Sequence, residues 1–144
     1  MKNKFFHTSS VPTLIPRLIV GLIFLSEGLQ KFITPETVGT GRFEKIGFTE
    51  PAFWANFAGT FEIICGTLLL FGLFTRLAVI PLLIVMCVAF IKTKIPILID
   101  KGFWAMAHEY RTDFAMTLLL VCLLYFGGGN FSLDKRYFSS EPQK

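Results

Sequence analysis

The stretch PAFWANFAGTFEIICGTLLLFGLF, residues 51–74, decides the fold, because Glu62 is its single charged residue. About 20 predominantly apolar residues in a helix are enough to cross the hydrocarbon core of a membrane. Pro51 suits the first turn of such a helix, and Gly72 lies where the helix should end. The stretch therefore predicts a membrane-spanning helix that carries a carboxyl group near its middle.

Three further apolar segments lie on either side of this stretch: residues 11–32, 76–94 and 108–127. The last is followed by a run of three glycines, which stops a helix. The segment before it contains Pro81, which a membrane helix tolerates, and it reaches span length only by including Lys92 and Lys94, whose long stems can snorkel. The first segment has Arg17 inside its apolar part and lacks a small-residue cleavage site, which favours a span over a signal peptide.

These segments predict one all-α domain, residues 1–144, built as an antiparallel bundle of four transmembrane helices. Residues 33–50 are expected to form a loop with a short amphipathic helix near Phe43, and residues 95–107 a second loop. Four crossings put both termini on the same side of the membrane, which we take to be cytoplasmic. Lys and Arg residues are equal in number on the two sides, so the positive-inside rule does not decide the orientation.

The composition excludes several other classes of protein. Hydrophobic residues make up 53% of the 144 residues and charged residues only 17%, whereas about a quarter of the residues of a soluble domain are charged. The net charge of +4 comes from dispersed lysines and arginines, so no nucleic-acid partner is expected. Cys65, Cys87 and Cys122 stand singly in apolar segments without a CxxC spacing, so neither a disulfide framework nor a redox pair is predicted.

Ionisable residues converge at one end of the predicted bundle, where the first and third helices end and the second and fourth begin. Such groups are costly inside a membrane and normally mark a site or a pathway. We therefore predict that a ligand binds among the following residues: Glu27, Lys31, Glu62, Lys94, His108, Glu109, Arg111 and Asp113.

Glu62 is the central candidate, because it lies at the middle of its span while the other residues lie nearer the membrane surface. Glycines spaced seven residues apart, Gly21 with Gly28 and Gly59 with Gly66, predict close contact between the first two helices. Glu62 lies about 40° from Gly66 around the helix axis. Its carboxyl group is therefore expected to face the interior of the bundle.

Two charge pairs among the candidates have helical neighbour spacing, Glu27 with Lys31 and Glu109 with Asp113. For the residues near the interface, a packing or anchoring role is the main alternative to ligand binding. The sequence has no HxxxH repeat, no pair of haem histidines and no nucleotide-binding fingerprint. It therefore predicts no metal site and no intrinsic cofactor, and it leaves catalytic residues unassigned.

The order and spacing of several short motifs resemble the DoxX family of small four-helix membrane proteins. The motifs are Arg17–Leu25 with Gly28 and Lys31, Gly41-Arg42-Phe43, Glu62 with Gly66, Leu68–Arg76, Glu109-Tyr110, and Gly127–Gly129 followed by Ser132-Leu133-Asp134. This chain has Lys94-Ile95-Pro96 where many members resemble His-Leu-Pro. Any histidine-dependent chemistry of the family would therefore need another residue, for which His108 is the candidate.

The resemblance implies a bacterial inner-membrane protein of redox metabolism, because the relatives that give the family its name are membrane subunits of thiosulfate:quinone oxidoreductases. We therefore expect a subunit that binds a quinone or small lipid, depends on a membrane or peripheral redox partner, and is not an enzyme by itself. Trp54, Phe57, Phe61 and Trp104 would form the apolar wall of its pocket.

Two other functions stay open. Some relatives in the family act as assembly factors or chaperones, so the chain could instead pack on a client membrane protein and stabilise it. A small transporter is the third alternative, which the lack of a visible inverted repeat disfavours.

Overall fold

The computed structural model describes residues 12–138, which form helices joined by turns and contain no strand. A π-helical turn, Phe90–Lys94, links the fourth and fifth helices. The helices are α1 (Leu14–Ile33), α2 (Thr40–Lys45), α3 (Pro51–Phe71), α4 (Thr75–Ala89), α5 (Ile95–Lys101), α6 (Phe103–Phe126) and α7 (Leu133–Phe138). The all-α prediction is confirmed, and each predicted apolar segment forms a long helix. Residue 11, where the first segment was expected to start, lies outside the described residues.

The prediction of a loop over residues 95–107 is wrong, because this stretch is helical except at Gly102. Pro96 follows directly after the π-helical turn Phe90–Lys94, and a local π-helical adjustment of this kind accommodates a proline inside a helix. The chain changes direction instead at Gly102, whose φ of +86° suits glycine. As a result, α4, the π-helical turn and α5 form one continuous helix of 27 residues, Thr75–Lys101.

Two helices are both long and apolar enough to cross a membrane, Pro51–Phe71 and Thr75–Lys101. The other two long helices, α1 with 20 residues and α6 with 24, have sufficient length, but charged residues interrupt the apolar stretch of each. The charged residues are Arg17, Glu27 and Lys31 in α1, and Glu109, Arg111 and Asp113 in α6. Length and composition therefore identify two of the four predicted spans.

Glycines bring α1 and α3 into close antiparallel contact, as their spacing predicts. A Cβ atom added to Gly28 would lie 2.8 Å from the carbonyl oxygen of Gly59, and one added to Gly66 would lie 3.0 Å from that of Gly21. Because no side chain fits into such gaps, the two backbones pack directly against each other. The direction is antiparallel, since the later glycine of α1 faces the earlier glycine of α3.

A tight turn joins α3 to α4, and α4 in turn packs against α6. Gly72 and Phe74, between α3 and α4, both have positive φ angles, +67° and +49°. At the start of α4, the Arg76 side chain donates to the carbonyl oxygen of Tyr125 near the end of α6, at 2.8 Å, so α4 and α6 run antiparallel. The helices enclose a core that includes Val20, Phe24, Leu69, Leu82 and Leu120.

Candidate functional site

The candidate site lies between the last turn of α1 and the middle of α3. It faces the end of the structure where α1 ends and α3 begins, which we call the loop end. Lys31 of α1 and Glu62 of α3 form an ion pair at this site, with Nζ 2.6 Å from Oε2. Only 9% of the Lys31 side chain and 4% of the Glu62 side chain are exposed. Two buried charges tolerate such burial only when they are paired. The pair therefore joins α1 to α3 and neutralises the carboxylate near the middle of α3.

The Lys31 side chain points into the structure although the residue lies two positions from the end of α1. From such a position a lysine stem can normally reach the membrane surface. Here Nζ lies 3.5 Å from the carbonyl oxygen of Glu27, one turn back along the helix. Side chains of a helix tilt toward its N-terminus, and this tilt carries the ammonium group to the depth of Glu62.

Gly59 keeps the space through which Lys31 passes. A Cβ atom at this position would lie 3.3 Å from Cβ of Lys31 and 2.9 Å from Cε2 of Phe32. A methyl group would therefore push on both side chains. The close contact between α1 and α3 and the geometry of the ion pair thus depend on the same glycine.

The partner of Lys31 differs from the one that its local spacing indicates. Its salt bridge joins it to Glu62, 31 positions away, instead of to the carboxylate of Glu27. The buried carboxylate needs a cation more than the half-buried one does, because desolvation of an unpaired charge is costly. Glu27 and Arg42 remain close enough to act electrostatically on Glu62.

A second ion pair at the loop end joins the π-helical turn to α6. Lys94 Nζ lies 3.2 Å from Oδ2 of Asp113 and donates to the carbonyl oxygen of Glu109, also at 3.2 Å. The exposed fraction is 9% for the Lys94 side chain and 34% for that of Asp113. This pair is therefore more accessible than the Lys31–Glu62 pair.

The remaining candidates lie on the surface of α6. His108, Glu109 and Arg111 are exposed, and Arg111 Nη1 lies 3.4 Å from Nδ1 of His108. Within residues 12–138, no hydrogen bond or ion pair connects the Lys31–Glu62 pair to the Lys94–Asp113 pair. The candidates thus form two separate ion pairs and one exposed group, instead of the single pocket that the sequence suggested.

The aromatic residues expected to wall a pocket face outward. Trp54, Phe57 and Phe61 are 41%, 48% and 37% exposed, and Trp104 is 83% exposed. The rings of Phe57 and Phe61 contact each other along α3, with centroids 4.9 Å apart and ring planes tilted by 48°. A surface depression of about 630 Å³ lies beside α2, and the residues that line it are Pro35, Glu36, Thr40, Gly41, Glu44 and Lys45. None of them belongs to the predicted site.

The opposite end, where α1 begins and α6 ends, holds a buried polar cluster that sequence reasoning did not identify. Arg17, 2% exposed, donates to the carbonyl oxygens of Gly128 at 2.6 Å and Phe131 at 2.9 Å. The Asp134 carboxylate accepts hydrogen bonds from the N–H groups of Phe74 and Thr75, at 2.6 and 2.9 Å. We call Arg17, Gly128 and Asp134, with these backbone partners, the terminal latch.

The two charged residues of the terminal latch stand out in the sequence, but their partners do not. Arg17 splits an otherwise apolar segment and Asp134 follows the last apolar segment, but their partners are backbone groups, which have no sequence pattern of their own. Within the described part of the chain, no three His, Cys, Asp or Glu side chains are placed to hold a metal ion.

Comparison with known proteins places the chain among membrane proteins. The sequence profile of the DoxX family matches residues 13–94. An "Uncharacterized membrane protein Rv3486" of Mycobacterium tuberculosis is 49% identical over 92% of this chain and 86% of its own length. The "Putative oxidoreductase CatD" of Bacillus subtilis is 31% identical over 96% of this chain and 94% of its own length. No solved structure matches the chain at a significant level.

Proposed function

The chain belongs to the DoxX family of membrane proteins, and on that premise we propose that it is the membrane subunit of a redox system, with a quinone or similar small lipid bound beside Lys31 and Glu62. The observation that carries the proposal is the buried ion pair near the middle of α3, because ionisable groups at such depth are rarely placed without a function. The name of the Bacillus subtilis relative, "Putative oxidoreductase CatD", agrees with a redox role.

The proposal includes four membrane crossings by α1, α3, α4 and α6. The charged residues of α1 and α6 are compatible with a span. Arg17 and Lys31 are buried and bonded inside the structure, and the charged residues of α6 lie within its first half, toward one end. In this arrangement the chain is a multi-pass protein of a bacterial inner membrane with both termini in the cytoplasm.

The ion pair supplies hydrogen bonding and proton transfer to the ligand. The Lys31 ammonium group can donate a hydrogen bond to a quinone carbonyl oxygen, and Glu62 can release or accept a proton at the same place. Reduction of a quinone to a quinol consumes two electrons and two protons. The protons would pass through Glu62, and the electrons would come from a redox partner protein, so the chain is not an enzyme on its own.

Extraction of bound lipid tests this function. The purified protein is expected to yield quinone, and Glu62→Gln is expected to lose it, because the amide cannot form the ion pair that orients Lys31. Glu44→Gln, on the exposed surface of α2, is the matched control and should keep its quinone. Absence of quinone from the wild-type protein, or equal quinone content in both variants, would contradict the proposal.

An assembly factor is the second candidate, and the outward face of α3 favours it. Phe53, Trp54, Phe57 and Phe61 form a continuous series of ring contacts on that face, and protein–protein interfaces are rich in such rings. A photoreactive residue at Phe57 would then crosslink to one defined client membrane protein. The same residue at Leu118, on the exposed face of α6, is the control and should label only lipid.

A further inference from the structure

The helices of the structure differ in length at the loop end. They start from a common level at the terminal latch, where Arg17 of α1 bonds to Gly128 after α6, and Asp134 bonds to Thr75 at the start of α4. From that level α1 extends for 20 residues and the continuous helix Thr75–Lys101 for 27 residues. At a rise of 1.5 Å per residue, the longer helix extends about 10 Å beyond the shorter one.

The additional length forms a helical hairpin made of α5 and the first turns of α6. Lys94 is the twentieth residue of its helix, so it lies level with the end of α1, and its partner Asp113 marks the same level on α6. Trp104 is nine residues before Asp113, or about 13 Å farther along α6. With four membrane crossings as proposed above, the tip of this hairpin projects out of the hydrocarbon core.

The tip of the hairpin is apolar although it projects. Trp104 is 83% exposed and is the most exposed large hydrophobic residue of the described chain; Ile99 and Phe103 are 76% and 58% exposed. At the opposite end, exposed rings such as Tyr125 and Phe131 lie where the helices end, as rings of an interfacial aromatic belt do. At the loop end the corresponding level is the end of α1, and the longer helix carries the tip about 10 Å beyond it. An aromatic belt therefore does not account for the rings at the tip.

The charges around the tip distinguish between possible occupants. Asp100 and Glu109 oppose Lys101 and Arg111, so the hairpin has no net charge from these groups. A surface that binds anionic lipid headgroups is instead enriched in Lys and Arg. An apolar centre rich in aromatic residues, with charges of both signs at its rim, is typical of a protein interface.

We infer that the tip of the α5–α6 hairpin, made of Leu98, Ile99, Phe103 and Trp104, is a docking surface for a water-soluble protein that presents an apolar groove bordered by charges of both signs. A second copy of this chain does not fit, because neighbouring copies in one membrane lie side by side, whereas the tip faces along the helix axes. The inference deepens the proposed function, which requires a redox partner outside the chain.

Cysteine labelling tests the docking surface directly. Trp104→Cys is introduced into the full chain with Cys87→Ala and Cys122→Ala, while the buried Cys65 stays in place. A membrane-impermeant maleimide is applied to vesicles opened by freezing and thawing, so that it reaches both sides. The vesicles are proteoliposomes of the purified protein, native membranes, and native membranes washed with alkaline carbonate to remove peripheral proteins.

The expected result is labelling in proteoliposomes, loss of labelling in native membranes, and recovery after the carbonate wash. Glu44→Cys, exposed on α2 at the same end, is the control and should be labelled in all three preparations. No labelling in proteoliposomes would place the tip in lipid and overturn the inference. Equal labelling in proteoliposomes and native membranes would show a bare surface, and protection that survives the wash would indicate an integral membrane partner; either result would overturn it as well.

Tryptophan fluorescence provides a second measurement that needs no cysteine variant. The chain has two tryptophans, so Trp54→Phe leaves Trp104 as the single emitter. In proteoliposomes its emission should be quenched by aqueous acrylamide and not by brominated lipid, and quenching by brominated lipid would overturn the inference. Because quinone extraction tests the ligand and these measurements test the partner, either proposal can fail while the other stands.

Discussion

The two ends of the molecule compensate buried charge in different ways. At the terminal latch, Arg17 bonds to backbone carbonyl oxygens and Asp134 bonds to backbone N–H groups. At the loop end, Lys31 and Glu62 bond directly to each other through their side chains. Backbone partners cannot turn away without unfolding a turn or a helix end, whereas two side chains can separate and bind a third group. We therefore expect the terminal latch to stabilise the fold, and the Lys31–Glu62 pair to be able to open and bind a ligand.

Loss of the latch should have the largest effect on stability. Arg17→Ala leaves the carbonyl oxygens of Gly128 and Phe131 without their donor and removes the cation that acts electrostatically on Asp134, and we expect a loss of about 4 kcal/mol in the free energy of unfolding. Thermal unfolding of the detergent-solubilised protein measures it. Arg111 is exposed, so Arg111→Ala should change stability little. Equal stability of the two variants would contradict a stabilising role of the latch.

Loss of the Lys31–Glu62 ion pair should have the next largest effect on stability, and a second substitution should restore most of that stability. Lys31→Met alone leaves Glu62 unpaired in the interior and should cost about 3 kcal/mol. The double variant Lys31→Met with Glu62→Leu should recover most of that stability but not bind quinone. Stability is read from thermal unfolding and quinone from lipid extraction. If the double variant binds quinone as the wild type does, the pair is only structural.

A methyl group at the α1–α3 contact should have a smaller effect that links packing to the site. Gly59→Ala pushes on Lys31 and Phe32 and should cost about 2 kcal/mol, as overpacking usually does. Quinone content should fall with it, because the position of Lys31 changes. Thr60→Ala, on the exposed face of the same helix, should leave both properties unchanged; an identical response of the two variants would contradict this link.

Loss of the more accessible ion pair, Lys94–Asp113, should have the smallest effect on the free energy of unfolding. Asp113→Asn removes the charge opposite Lys94, but a third of the Asp113 side chain is exposed and Lys94 keeps the carbonyl oxygen of Glu109. We expect a loss of about 1 kcal/mol or less, with quinone content unchanged. A loss as large as that of Lys31→Met would show that both ion pairs at the loop end are equally important.

The sequence predicted the helices well because apolar runs of span length are a local property. It also predicted the contact of α1 with α3, since glycines at a spacing of seven residues lie on one face of a helix. It did not predict the salt bridge of Lys31 with Glu62, because spacing rules compare residues of one helix, and this bridge joins two. Nor did it predict the helical hairpin, because a proline usually ends a helix, whereas here a π-helical turn precedes Pro96 and the helix continues to Lys101.

The latch has a consequence for the biosynthesis of the protein. Arg17 is synthesised early, but its acceptor at Gly128 follows 111 positions later. With four membrane crossings as proposed above, the guanidinium group would enter the membrane before its partners have left the ribosome, and water, lipid headgroups or the insertion machinery would have to accommodate it in the meantime. Chains that stop before residue 128 keep this unpaired charge. Closure of the latch therefore has to wait until the segment that contains Gly128 has been synthesised.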